Sequence, residues 1–201
     1  ERLKLKNIHY IKKLVEKINV LNKNVSFIHI STFGVTDYLG INKDKSLIGY
    51  NYYEYSKIIS ENIITDYSKF KFTIIRPAGI FYKNSKIYSN IIKIKRLKFL
   101  FYFDKSLYIY ITKLNELEKI LIKNIKYPSI RKKLVKNVLN SYELLEINSS
   151  EKFNQLQIKL PSFIKIIFEN IIKLNIFLNY KLDSKLLTFL ILTLSKRKIN
   201  H

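Results

Sequence analysis

Tyr53 and Lys57 stand four residues apart in a stretch of helical periodicity, so both side chains leave one face of the helix. A phenol ordinarily titrates at about 10. A neighbouring ammonium favours the phenolate and draws that value towards neutrality. Such a tyrosine can take the proton of an alcohol as hydride leaves the same carbon, or return a proton to a carbonyl oxygen in the reverse direction. A hydroxyl at an adjacent strand end would hold that oxygen, and Ser31-Thr32 closes the strand-like run upstream. The spacing alone is weak evidence. In a chain with 15 Tyr and many lysines, about two or three Tyr-x-x-x-Lys matches arise by chance. Three occur: Tyr53/Lys57, Tyr67/Lys71 and Tyr82/Lys86. Tyr67/Lys71 straddles a helix end and a strand start, and Tyr82/Lys86 falls in a loop. Only Tyr53/Lys57 lies inside a helix.

The elements that must position this pair read in order. Leu5, Ile8, Ile11, Leu14, Val15 and Ile18 predict an amphipathic helix over residues 3–21. Val25 to Ser31 is a short strand. Residues 34–49 form a polar loop with Gly34, Gly40 and Gly49. A second helix runs over 52–69 with Ile58, Ile59, Ile63 and Ile64 as its stripe, and Phe72 to Ile75 is a strand stopped by Pro77. Continuously apolar strands alternating with helices are the grammar of a parallel sheet covered on both faces. Further on, the pattern predicts helices over 85–98 and 115–124 and strands over 107–112 and 133–139. Ser141 is read as the cap of a helix to about Lys152, with Glu143 and Glu146 in its first turns. A strand over 156–160 and helices over 162–179 and 184–196 complete the chain. The stripe Phe163, Ile166, Ile167, Ile171, Leu174 and Leu178 has two readings: a helix packed on a core, or a basic helix on a membrane surface or partner.

Composition narrows the chemistry. The 201 residues include no Cys, which excludes disulfide scaffolds, thiolate metal sites and cysteine nucleophiles. The three histidines, His9, His29 and His201, are too scattered for a ligand set, and no metal is expected. The net charge of +22 would suit nucleic acid or an anionic membrane. Only Arg2, Arg76, Arg96, Arg131 and Arg197 are arginines, however, and base-edge readout favours Arg over Lys. A nucleic-acid partner is therefore not expected. No apolar run reaches the ~20 residues of a membrane span, and the first residues lack a signal core, so the expected location is cytoplasmic.

Five segments carry a resemblance. Val25-Ser-Phe-Ile-His-Ile-Ser-Thr-Phe-Gly-Val35 resembles the strand and active-site hydroxyl segment of the extended short-chain dehydrogenases/reductases, the NAD-dependent sugar-nucleotide epimerases and dehydratases. Tyr53-Glu-Tyr-Ser-Lys-Ile-Ile-Ser-Glu61 is similar to their Tyr-x-x-x-Lys helix. Phe72-Thr-Ile-Ile-Arg-Pro-Ala-Gly-Ile-Phe81 resembles the next strand with its Arg-Pro turn, and Asn7 to Leu14 the preceding helix. Ser141 to Leu160 resembles the C-terminal helix and short strand. The resemblance implies an α/β, Rossmann-like parallel sheet with helices on both faces. Residues 1–82 would be the C-terminal half of the NAD(P)-binding domain, and 83–201 a small, mostly helical substrate region interleaved with the last strands. It implies NAD or NADP as cofactor and a nucleotide-linked sugar as substrate, in epimerase, 4,6-dehydratase or keto-sugar reductase chemistry of polysaccharide synthesis. By position, Thr32 matches the hydroxyl residue, Tyr53 the acid/base, and Lys57 the ribose ligand that tunes the tyrosine. Pro77, Ala78 and Ile80 fall where the family's backbone passes the nicotinamide. Each has a structural alternative: Thr32 a strand end, Tyr53 and Lys57 surface residues, Arg76 a buried ion-pair partner.

The family's glycine-rich pyrophosphate turn has no counterpart here. The four glycines, Gly34, Gly40, Gly49 and Gly79, cannot form it. Tyr82 stands where the family has Gly, and Asn115 where Asp is common. The expectation is a chain that enters the fold at the helix before the fifth strand, roughly the first 80–100 residues of a typical member lying elsewhere. A separately encoded N-terminal half is then the implied partner, with a homodimer also compatible, and the isolated chain is expected to be inactive. The alternative is a non-catalytic basic module or inactive relative on an anionic surface or in a larger complex, with peripheral membrane contact through 162–196.

Overall fold

The computed structural model describes residues 2–21, 25–36, 47–85, 88–89, 99–102, 108–126, 133–138, 140–143 and 156–178. The elements in chain order are α1 (Arg2–Leu21), β1 (Ser26–Ile30), a 3₁₀ turn (Phe33–Val35), α2 (Tyr52–Tyr67), β2 (Lys71–Pro77) and β3 (Gly79–Phe81). There follow β4 (Phe99–Tyr102), β5 (Tyr108–Lys113), α3 (Leu114–Lys126), β6 (Lys133–Val138), β7 (Asn140–Glu143), β8 (Leu156–Lys159) and α4 (Ser162–Phe177).

β2 is the centre of a parallel sheet in the order β1-β2-β6, with Ile28 opposite Thr73 and Ile74 opposite Val135. Phe72, Thr73, Ile74 and Ile75 are all buried, as a strand covered on two faces requires. Alternation sends Phe72 and Ile74 to one side, where they join Val15 of α1 and Ile64 of α2. Ile75 goes to the other side and packs with Leu117, Ile120 and Leu121 of α3 and with Ile28 and Ile80. Helices therefore lie on both faces, as expected. Asn19 ties the end of α1 to the end of α2: its Nδ2 donates to the Tyr67 carbonyl at 2.8 Å and its Oδ1 accepts from the Lys69 N–H at 2.8 Å.

Several local expectations need correction. The strand after α2 does not stop before Pro77 but runs through it, with Pro77 in register with Val138 at the strand end. Ser141 does not cap a helix. It lies in β7, whose antiparallel pairing with β5 sets Tyr110 opposite Ser141. Long-range pairing here overrides a local capping signal; the rest of the expected helix to Lys152 lies outside the described residues. β3 and β4 had no counterpart in the sequence reading, and β3 pairs with β5 in a second sheet, β3-β5-β7. β4 pairs with β8. Among the described residues beyond 82, β4 and β7 thus add to the strands expected there, beside the helices α3 and α4. Of the expected helix over 85–98 only residues 85, 88 and 89 are described; 88–89 are helical and Ser85 precedes them outside the helix, and the helix over 184–196 lies outside the described residues.

Candidate active site

Glu54, not foreseen as a site residue, organises the first turn of α2. Asn51 caps the helix by accepting the Glu54 N–H on its Oδ1 at 3.0 Å, while the Glu54 Oε2 reaches back to the Tyr50 N–H at 2.7 Å. This is a capping box, and the Asn51-x-x-Glu54 spacing was its sequence signal. The Glu54 carboxyl is buried, which pushes its pKa up to about 7 against the hydrogen bonds from Tyr50 and Asn51. The same carboxyl lies over Gly34: a Cβ there would come within 2.6 Å of Glu54 Oε1. On the other flank, a Cβ on Gly49 would come within 2.6 Å of the Tyr55 backbone nitrogen. Two glycines thus let the loop segments press against the start of α2.

Thr32 leaves β1 and caps the 3₁₀ turn, its Oγ1 accepting the Gly34 N–H at 3.2 Å. The hydroxyl proton is left to bond another acceptor. Lys57 crosses from α2 to the same strand end, where its Nζ donates to the Ile30 carbonyl at 2.9 Å. Tyr53, one turn earlier, is 53% exposed, and the Lys57 Nζ stands 5.8 Å from the centre of its ring. Three expected residues therefore gather around the junction of β1 with α2: Lys57 at Ile30, Thr32 two residues on, and Tyr53 stacked beside Lys57.

The electrostatics differ from expectation in one respect. The Tyr53 phenol is raised, not lowered, from its ordinary value, first by partial burial and then by the Glu54 charge. Lys57 is itself lowered by burial, against the Glu61 carboxylate, which raises it. Burial and the Glu54 charge, not Lys57, set the direction of the phenol's shift. His29, on the α2 side of β1, is held at about 4 by burial first and then by the Lys57 charge, with Glu61 opposing.

Behind the junction, Arg76 of β2 grips Glu61 of α2. Its Nε lies 3.0 and 3.2 Å from the two carboxylate oxygens, and Nη2 bonds Oε2 as well. Arg76 is thus the buried ion-pair partner that its structural reading describes. Pro77 is buried at the end of β2. The Ala78 N–H donates to Thr112 Oγ1 at 2.9 Å, and Ile80 packs against Ile75 and Leu117. Among the described residues no group of three or more His, Asp or Glu side chains could hold a metal ion.

No family model and no curated protein matches the sequence. Solved structures do match. A UDP-glucuronic acid 4-epimerase from Bacillus cereus, in complex with NAD, aligns with a TM-score of 0.57 at 16% identity, over 76% of this chain and 56% of that one. A dTDP-4-dehydrorhamnose reductase from Clostridium acetobutylicum aligns with a TM-score of 0.54 at 14% identity, over 75% and 55%. RMD from Pseudomonas aeruginosa, complexed with NADPH, gives a TM-score of 0.52 at 16% identity, over 76% and 61%. The chain shares the Rossmann-like fold of these structures. The chain spans about half to three fifths of their length.

Proposed function

We propose that this chain is the part of an NAD(P)-dependent enzyme that carries the acid/base residues for chemistry on a nucleotide-linked sugar, as an epimerase, dehydratase or keto-sugar reductase. The observation that carries the proposal is the junction of β1 and α2, where Lys57 bonds the Ile30 carbonyl with Tyr53 one turn away and Thr32 two residues beyond. The fold it shares with NAD and NADPH complexes of sugar-nucleotide enzymes supports it.

The residues present suit one end of the cofactor. A half-exposed phenol and a lysine at the strand end can hold a ribose, and the partly exposed Ile80 can offer apolar surface to a nicotinamide, whereas Pro77 is buried. The Ala78 N–H is already bonded to Thr112. The 201 residues contain no glycine-rich turn of the kind that cradles a pyrophosphate, and in this proposal that end of the cofactor is held by other residues. A bound NAD(P) supplies hydride transfer at the sugar carbon.

The chain's own groups handle the oxygen. The Thr32 hydroxyl donates a hydrogen bond to it while the Thr32 oxygen keeps the Gly34 N–H. Tyr53, a protonated phenol at neutral pH, gives its proton to the oxygen of a sugar carbonyl, and the phenolate so formed gains from the nearby Lys57 charge. The raised Tyr53 pKa keeps the phenol protonated at neutral pH.

The test is turnover of a nucleotide keto-sugar by the chain combined with a glycine-rich nucleotide-binding segment. Tyr53→Phe is expected to lower kcat by about 10²–10⁴-fold; near-normal turnover overturns the assignment. The chain by itself is expected to bind NAD(H) more weakly than micromolar, and tight calorimetric binding would show that the pyrophosphate site lies within these residues.

A further inference from the structure

α4 is apolar on two sides. Its inner side, with Ile164, Phe168, Ile171, Ile172 and Ile176, packs against Ile48, Tyr50 and Leu160. Asn175 Nδ2 also donates to the Tyr50 carbonyl at 3.3 Å. Among the described residues that side docks the helix, yet the outer side is apolar too. Phe163, Ile166, Ile167, Leu174, Phe177 and Leu178 are exposed, Phe163 at 63% and Phe177 at 81%. At 3.6 residues per turn these six fall within an arc of about 120°, with Asn170 as its polar interruption. Lys165, Glu169 and Lys173 form a row along one flank, and Glu169 is met by Lys165 at 3.4 Å. An exposed stripe of this size is a contact surface in waiting.

Charge selects the occupant. The chain carries +22, and the row beside the stripe holds two lysines and a single acid that is already paired. Phe163 and Phe177 are about 21 Å apart along the helix at 1.5 Å per residue, short of the ~30 Å hydrocarbon core. Among the described residues no helix is long and apolar enough to cross a membrane. We propose that the outer side of α4 docks on an anionic bilayer surface. The helix lies in the membrane plane, the Phe163–Leu178 stripe enters the acyl boundary, and Lys165 and Lys173 sit among the headgroups. The inner side keeps the rest of the protein attached. This proposal stands independently of the enzymatic one.

The chain contains no Trp, so Phe177→Trp gives a single reporter. On phosphatidylcholine vesicles with about 30% phosphatidylserine, at about 150 mM salt, its emission is expected to shift to the blue and to be quenched by brominated lipid tails. The double variant Phe163→Gln with Phe177→Gln is expected to weaken vesicle binding about tenfold or more with unchanged Tm. Four outcomes overturn the proposal. The Trp emission does not shift. Wild type and double variant bind alike and both are released by salt, which is adsorption by general charge. The double variant turns a dimer into a monomer, so that the stripe faces a second copy. Or it lowers Tm without changing vesicle binding, so that the chain covers the stripe with itself.

Discussion

The Lys57 ammonium donates to the Ile30 carbonyl at 2.9 Å while standing 5.8 Å from the centre of the Tyr53 ring. The lysine is bound to the strand that leads to Thr32, and the tyrosine lies beside it with its phenol raised by burial and by Glu54. The phenol is thus protonated at neutral pH.

Tyr53 is therefore expected to titrate above the ordinary value of about 10. Tyrosine ring-carbon NMR, with Tyr53→Phe identifying the resonance, measures this. Glu54→Gln should lower the midpoint, because it removes the second cause of the shift. A wild-type midpoint near neutrality would show Lys57 controlling the phenol after all.

Glu54 makes stability depend on pH. Its folded-state pKa of about 7 lies above its ordinary 4.5, so its contribution is fully present below 4.5 and is lost as pH rises through 7. His29 has the opposite sign. Held at about 4 instead of 6.5, it contributes stability above 6.5 that is lost as pH falls through 4. Urea unfolding of Glu54→Gln against wild type should show a gain that grows from pH 4.5 to 7, reaching on the order of 2–3 kcal/mol at pH 8. A gain constant across that range would rule out titration of Glu54 as its source.

Gly49→Ala would put a methyl within 2.6 Å of the Tyr55 nitrogen and 3.0 Å of the Glu54 carbonyl carbon, both backbone atoms that cannot rotate away. A loss of about 2–4 kcal/mol is expected. Gly34→Ala meets the end of the Glu54 side chain instead and should cost less, most of that loss vanishing when Glu54 is shortened to Ala. Equal losses for both glycine variants in thermal melts would contradict the packing.

Arg76→Met leaves Glu61 buried at 2% exposure without its guanidinium. The expected loss is about 3–5 kcal/mol, and Arg76→Met with Glu61→Leu should recover most of it, since an apolar pair carries no unpaired charge. A double variant no better than the single would indicate that the pair does more than neutralise itself.

Much of the layered fold was legible because it depends on period and order. Val15, Phe72 and Ile74 announce buried positions by type, and the alternation of helix and apolar strand announces a parallel sheet. The junction of β1 with α2 was legible from Thr32, Tyr53 and Lys57, and the ion pair from Arg76. What was hidden depends on distant partners. β3 is three residues long and exists by pairing with β5, and Ser141 is drawn into β7 by the same strand despite a helix-cap signature. In α2 the expected stripe Ile58, Ile59, Ile63 and Ile64 contributes only Ile64 to the fully buried set, with Ser56, Ser60 and Glu61 beside it. Helical period cannot foresee that this face would bury a carboxylate for Arg76. The direction of the Tyr53 shift was hidden for a related reason, since the partial burial that raises the phenol is invisible in side-chain spacing.

The order β1-β2-β6 has a kinetic corollary. Ser26 meets Lys71, 45 positions later, and Phe72 meets Lys133, another 61 on. The central strand cannot be flanked on both sides until residues near 138 have been synthesised, so a growing chain carries one edge of β2 unpaired, and Ile75 without Leu117 of α3, through much of its emergence from the ribosome. Acquisition of structure is then late and slow, governed by two long loop closures and not by the helices, which can form as they appear.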